Sequence, residues 1–199
     1  MNIKRIVKEI KNGNLVITPT DTIYGILADA TNSDAIKKVY ACKKRNKNKA
    51  LILLAASPQM IQEYTKTLSP KELEIIKKYF PGKLTILLSK NSQVKDEITA
   101  NSPLVGIRIP DNQDLIKIIK EIGNPLISTS VNLSGAPAIT NPKEIDPKLL
   151  KYISYIEDNG SIISEPSSII KVENEKIIVI RPGTIASKII KDYKKNKGR

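Results

Sequence analysis

Helix-type and strand-type periodicities alternate along this chain from end to end, and that interleaving constrains its fold more than any other feature. Ile3, Ile6, Val7 and Ile10 recur at helical spacing, and Gly13 offers a helix stop. A strand pattern at 14–18 is closed by Pro19, and 22–28 reads as extended. Ser33 and Asp34 open a helix with Ala35, Ile36, Val39 and Tyr40 on its apolar face. The apolar run 50–55 reads as a buried strand. Helices start at Ser57-Pro58 and at Ser69-Pro70-Lys71-Glu72, the second a capping box with Pro at the first helical position. Strands follow at 83–89 and 104–109, then a helix capped by Asp111 that runs to about Ile122, and a strand at 125–128. Asn141-Pro142-Lys143-Glu144 starts another helix. Residues 152–156, 167–172 and 176–180 read as strands, the last two a hairpin across Glu173-Asn174-Glu175. Thr184 caps a final helix that frays into the basic C-terminal tail, 190–199.

Elements that interleave without segregation predict an α/β fold, a single-domain twisted sheet flanked by helices. The late hairpin makes that sheet mixed, parallel and antiparallel. No repeat, linker or compositional break divides the chain, so residues 1–199 read as one domain with its core at about 5–185. The core must be aliphatic: there are 34 Ile, one Phe and no Trp.

With no His and a single Cys, Cys42, the chain excludes Ser-His-Asp and Cys-His catalysis, His-ligated metals, zinc fingers and internal disulfides. One unpaired Cys fits a reducing compartment. The N-terminus has charges throughout and no apolar leader run, and no stretch approaches 18 apolar residues, so the expectation is a soluble, cytoplasmic protein without a membrane partner. A net charge of +13 favours anionic partners, whether nucleotides, RNA or an acidic surface. A Lys-rich compositional bias of the source genome accounts for the same excess, and both explanations stay open.

Neither a Walker loop nor GxGxxG occurs; Pro81-Gly82-Lys83-Leu84-Thr85 lacks the upstream glycine. Against 28 Lys there are only five Arg, and Arg45, Arg108 and Arg181 lie inside the chain. Arg supplies a planar fork for phosphate or carboxylate that Lys cannot reproduce. Arg108 lies in Val-Gly-Ile-Arg-Ile-Pro and Arg181 begins Arg-Pro-Gly-Thr, places that suit ligand binding and ordinary surface arginines alike. Three polar segments stand out: 18–25 with four hydroxyls (three Thr and Tyr24) and Asp21, 128–135 after an apolar strand, and Pro166-Ser167-Ser168. Each can donate hydrogen bonds to a ligand at strand ends, and each equally fits a turn satisfying its own backbone.

Taken in order, these segments resemble the YrdC-type threonylcarbamoyl-AMP synthases. The matching landmarks are PTDTIYG at 19–25, Lys43-x-Arg45, PGKLTILL at 81–88, VGIRIP at 105–110, Ser130-x-Asn132 with Ser134-Gly135, PSSII at 166–170, and Arg181-Pro182-Gly183. The match covers roughly residues 5–185. The resemblance implies an enzyme: a nucleotidyltransferase that takes L-threonine, bicarbonate or CO2, and ATP, releases pyrophosphate and forms threonylcarbamoyl-AMP. That product starts the threonylcarbamoyl modification of adenosine 37 in tRNA and passes to a separate tRNA-modifying transferase complex. Lys43 and Arg45 are the implied catalytic pair. ATP falls to Lys43, Arg45, Lys49, Ser130, Asn132, Ala138 and Arg181; L-threonine falls to Thr22, Arg108, Ser128 and Ser167. Mg2+ is implied on the ATP phosphates, with no metal held by protein side chains. The residues suit this chemistry, because nucleotidyl transfer needs positioning and positive charge rather than a His base.

The chain departs from the family pattern at Asn46, at Lys49-Ala50-Leu51 in place of Asn-Pro-Leu, at Leu54 where some members carry His, at Thr129 for a common Pro, and at Ser168 for a common Thr. The alternative is an RNA-binding or ribosome-maturation paralogue without this activity. Any tRNA or dsRNA binding is expected to be weak, sequence-insensitive and salt-dependent, because it would come from contacts of the scattered Lys with phosphates, and few aromatics are present as platforms for single strands.

Overall fold

Local signals set most of the element boundaries in the computed structural model, which describes residues 1–162 and 164–195. Among those residues the helices are α1 (Ile3–Lys11), α2 (Ser33–Cys42), α3 (Pro58–Tyr64), α4 (Pro70–Tyr79), α5 (Asp96–Thr99), α6 (Gln113–Ile122), α7 (Pro147–Leu150) and α8 (Ala186–Lys195). The strands are β1 (Leu15–Thr18), β2 (Gly25–Asp29), β3 (Ile52–Leu54), β4 (Leu84–Ser89), β5 (Leu104–Arg108), β6 (Leu126–Ser130), β7 (Ile153–Ile156), β8 (Ser168–Glu173) and β9 (Lys176–Arg181).

The capping box forms as the sequence predicts. Ser69 Oγ accepts the Glu72 amide at 3.2 Å, and Glu72 Oε2 accepts the Ser69 amide at 2.7 Å. Three expectations are corrected. The cap of α6 is Asn112, not Asp111: Asn112 Oδ1 accepts the Leu115 amide at 3.1 Å, the bond that an N-cap residue makes three positions on. The helix expected at 141 lasts one 3-10 turn, Pro142–Glu144, because Pro147 disfavours a helical Asp146 and restarts the chain as α7. The strand expected at 125–128 extends to Ser130, held by pairing of Ser130 with Gly25. The tail beyond Lys195 lies outside the described residues.

The strands form one sheet, in the order β7-β1-β2-β6-β3-β5-β4-β8-β9. It is mixed: β7–β1, β3–β5 and β4–β8 are parallel, and the other pairs antiparallel. Because side chains alternate across a strand, each face has its own set of apolar residues. Ile17, Ile26, Leu53, Ile86, Ile107, Ile127 and Ile170 face one way, packed with Ala35, Ile36, Val39 and Tyr40 of α2 and Ile75, Ile76 and Tyr79 of α4. Val16, Leu27, Leu54 and Leu126 face the other way, under Ile6, Val7 and Ile10 of α1 and Leu115, Ile118 and Ile119 of α6. This second helix pair covers only the end of the sheet built from β1, β2, β6 and β3. The same face of β5, β4, β8 and β9 is left open beside it.

Candidate active site

The open part of that face is a cleft of about 500 Å³. Strand register sets what lines it. Along one row, Leu87 stands opposite Gly106, Gly106 opposite Ile52, and Ile52 opposite Ser128. Along the next, Arg181 stands opposite Ile169, Ile169 opposite Thr85, and Arg108 opposite Leu54. Gly106 keeps the floor low: a Cβ there would sit 3.3–3.5 Å from Leu87, Thr85 and Ile52. Gly25, opposite Ser130, keeps the wall open, since a Cβ would come within 3.2 Å of Ser128 Oγ.

Three arginines meet the cleft, and none of the described residues lining it is acidic. Arg108, at the end of β5, is 4% exposed. Its Nη2 donates to Asp21 Oδ1 at 2.8 Å and to Thr22 Oγ1 at 3.3 Å, and Nη1 reaches Asp21 Oδ2 at 3.4 Å. Burial pulls its pKa below the ordinary arginine value, Asp21 opposes that, and nearby Arg181 adds to it. Arg181, at the end of β9, donates from Nε and Nη2 to the Ser167 carbonyl at 3.2 and 2.8 Å, and from Nη2 to Ser167 Oγ at 3.3 Å. Ser167 Oγ is in turn 2.8 Å from Thr85 Oγ1. Arg45 lies beyond α2 and donates from Nε to the Lys49 carbonyl at 3.0 Å and from Nη2 to the Ala50 carbonyl at 2.7 Å. Burial lowers the pKa of Arg45 and of Arg181 as well. Backbone carbonyls thus aim two of these guanidinium groups without neutralising them, and the cleft keeps a positive potential.

The Thr20–Tyr24 turn forms another wall. Thr20 Oγ1 donates to the Ile23 carbonyl at 2.6 Å, accepts the Thr22 and Ile23 amides at 3.0 and 3.2 Å, and lies 3.0 Å from Thr22 Oγ1. Tyr24 is fully buried, its OH donating to the Gly160 carbonyl at 2.7 Å and accepting the Asn159 amide at 3.1 Å. Across the cleft, Ser130 Oγ donates to Asn132 Oδ1 at 2.6 Å, and Asn132 Nδ2 donates to the Ala136 carbonyl.

Of the residues singled out from the sequence, Thr22, Arg45, Arg108, Ser128, Ser130, Asn132, Ala138, Ser167 and Arg181 all line this cleft. Lys43 and Lys49 do not. Lys43 is 1% exposed and its ammonium donates to Ser130 and Asn132. Lys49 is exposed, and it is its carbonyl that the Arg45 fork uses. Three further residues shape the site without being singled out from the sequence: Asp21 as the partner of Arg108, Thr20 as the node of its turn, and Gly106 as the floor. Asp21 carries a local signal, since it is the one acid among the three threonines at 18–25.

A profile for the Sua5, YciO and YrdC proteins, described as "Telomere recombination", matches residues 8–183. The chain belongs to the Sua5/YciO/YrdC family. A family relative from Methanocaldococcus jannaschii is 43% identical over 180 residues, 89% of this chain and 84% of its own length. The threonylcarbamoyl-AMP synthase of Bacillus subtilis is 32% identical over 183 residues, 91% of this chain but 53% of its own. The crystal structure of Pyrococcus abyssi Sua5 complexed with L-threonine superposes with a TM-score of 0.89 at 28% identity, over 96% of this chain and 56% of that one. This chain therefore spans about half the length of the Bacillus and Pyrococcus proteins, and the shared Sua5/YciO/YrdC part contains the whole cleft.

Proposed function

We propose that the cleft makes threonylcarbamoyl-AMP from L-threonine, bicarbonate or CO2, and ATP. The observation that carries this reading is one cavity in which three buried or half-buried arginines face hydroxyl-rich walls with no acidic lining residue. The Bacillus relative's name and the L-threonine held by the Pyrococcus protein give that chemistry its substrates. The threonine amine adds to CO2 and loses a proton, giving a carbamate. A carbamate oxygen then attacks the α-phosphorus of ATP, the bond to the β-phosphate oxygen breaks, and pyrophosphate leaves. Negative charge shifts onto the leaving group in the transition state, where guanidinium donors fixed in advance stabilise it most. Arg45 and Arg181 serve the nucleotide side with Ser130, Asn132 and Ala138. Arg108 serves the threonine side with Thr22, Ser128 and Ser167. Asp21 already holds one edge of the Arg108 fork, so a substrate carboxylate would take the N–H groups that remain.

No group of three His, Cys, Asp or Glu suited to a metal occurs among the described residues, and Asp21 is committed to Arg108. Mg2+ would enter on the ATP phosphates, and none of the steps assigned to these residues depends on it. Passage of the product to a tRNA-modifying complex, and a cytoplasmic location, belong to the same proposal. No described helix is long and apolar enough to cross a membrane.

The test is pyrophosphate release by purified protein supplied with ATP, Mg2+, bicarbonate and L-threonine. Release is expected to require threonine. Equal release without it, or none with it, overturns the reading.

A further inference from the structure

Lys43 sits in the motif that the resemblance assigns to ATP, yet it is buried and does not line the cleft. It is 1% exposed, and its Nζ donates to Asn132 O and Asn132 Oδ1, both at 2.8 Å, and to the Ser130 carbonyl. An ammonium has three N–H donors, and these three acceptors use all of them. The backbone of the same residue completes the grip, since its carbonyl accepts the Ser134 amide at 3.0 Å. Side chain and main chain of Lys43 therefore both hold one segment, 130–134, which leaves β6 and crosses the cleft wall. Ser130 and Asn132, which line the cleft, are the residues so held.

We propose that Lys43 is a positioning residue, which fixes the Ser130–Ser134 segment through its carbonyls and does not itself touch the nucleotide. The inference rests on the reading above that places nucleotide against Ser130 and Asn132. Burial depresses the pKa of this ammonium to about 8, with Arg45 adding to the effect, which agrees with a group that has no acid beside it. The roles of Lys43 and Arg45 then separate. Arg45 lines the cleft and meets the phosphate, whereas Lys43 shapes the wall that receives it.

The test compares wild type with Lys43→Met and Lys43→Gln. Met has a similar length and withdraws the ammonium donors from all three acceptors, of which Asn132 Oδ1 keeps the bond from Ser130 Oγ; Gln returns two N–H groups without the charge. Calorimetric titration uses adenosine, AMP and ATP, with melting curves to show that each variant is folded. Backbone hydrogen exchange over 130–136 is measured without ligand. Positioning predicts that Lys43→Met weakens all three ligands by a similar factor, about tenfold or more for acceptors that lose a charged donor. It also predicts faster exchange over 130–134 and partial recovery of both effects in Lys43→Gln. A loss confined to ATP, equal in Met and Gln, with exchange unchanged, means direct phosphate contact and overturns the proposal. If wild type itself binds none of the three ligands, the nucleotide reading of the cleft fails. The exchange comparison still decides whether Lys43 holds the segment.

Discussion

Arg108 grips both oxygens of Asp21 across the cleft wall, and neither side chain is more than 5% exposed. A pair this deep is stable only as a pair, because either charge alone would be left in a poorly solvating interior. Asp21→Ala is therefore expected to lower unfolding free energy by about 3–5 kcal/mol, the range for breaking a buried ion pair. The double variant Asp21→Leu with Arg108→Met removes both charges and should regain most of that loss. Urea melts of the single and double variants check this. Equal destabilisation in both would show that the two residues matter independently.

Arg45 and Arg108 should fail differently when each becomes Lys. The Arg45 fork bridges two successive carbonyls, those of Lys49 and Ala50, and this fixes the plane of its guanidinium. Lysine keeps the charge but cannot make that bridge. Since charge at the α-phosphate grows only in the transition state, Arg45→Lys is expected to lower kcat by roughly 100-fold, the scale of a lost electrostatic donor. A substrate carboxylate keeps its charge throughout, so Arg108→Lys should mainly raise KM for threonine and leave KM for ATP nearly intact. Steady-state kinetics with both substrates varied separates the two. Equal loss of ATP affinity in both variants, with threonine affinity untouched, would reverse the assignment.

Gly183, beside the Pro166–Ser168 segment, and Gly106, on the cleft floor, give opposite expectations. A Cβ on Gly183 would lie 2.5 Å from the Pro166 carbonyl oxygen and 2.7 Å from the Ser168 nitrogen, both backbone. Gly183→Ala must therefore push the chain after Arg181 away from the segment whose Ser167 carbonyl that arginine uses. The cost is that of an overpacked site, about 1–3 kcal/mol, with threonine and ATP affinity both reduced. At Gly106 the neighbours are side-chain atoms at 3.3–3.5 Å, which can shift by a few tenths of an ångström. Gly106→Ala should melt close to wild type yet bind less tightly, because the new methyl group occupies the cleft floor. Similar melting temperatures for the two variants would contradict the contrast.

The parts of this molecule that show in its sequence are those written in short-range chemistry. Ser69 and Glu72 announce α4 because the bonds that cap it span three residues. By contrast α5, four residues with no side-chain cap, has nothing local to announce it. Asn141 gives a true cap signal, but Pro147 cuts the helix it promises. In the site, the arginines stand out against a lysine-rich background, whereas their partners depend on the fold. Asp21 and Arg108 are 87 residues apart in the chain and meet only because the turn after β1 comes to lie beside the end of β5. The direction of the Lys43 side chain is likewise settled by carbonyls 87 and 89 positions away. Order and spacing identify the family, but pairing across the cleft is a property of the packed sheet.

Lys43 also makes stability depend on pH in a direction that can be worked out. Its pKa is shifted from 10.5 down to about 8 in the folded protein, first by burial and then by the charge of Arg45, with Cys42 pulling weakly the other way. The unfolded chain has the ordinary value. Between the two values the unfolded state therefore holds more protons than the folded state, and stability from this group rises with pH across that window. Below about pH 8 both states are protonated and the slope vanishes. Lys43→Met removes this titration and leaves the tyrosines and other lysines in place. Unfolding free energy of wild type minus that of Lys43→Met is thus expected to be flat near pH 7 and to climb from about pH 8 towards pH 10. Nucleotide affinity of the wild type should decline over the same interval, since a neutral amine offers two N–H donors to the three acceptors of Ser130 and Asn132. Urea melts and titrations at a series of pH values check both trends. A stability difference that stays flat up to pH 10 would mean that the three acceptors hold the ammonium at its ordinary pKa despite its burial.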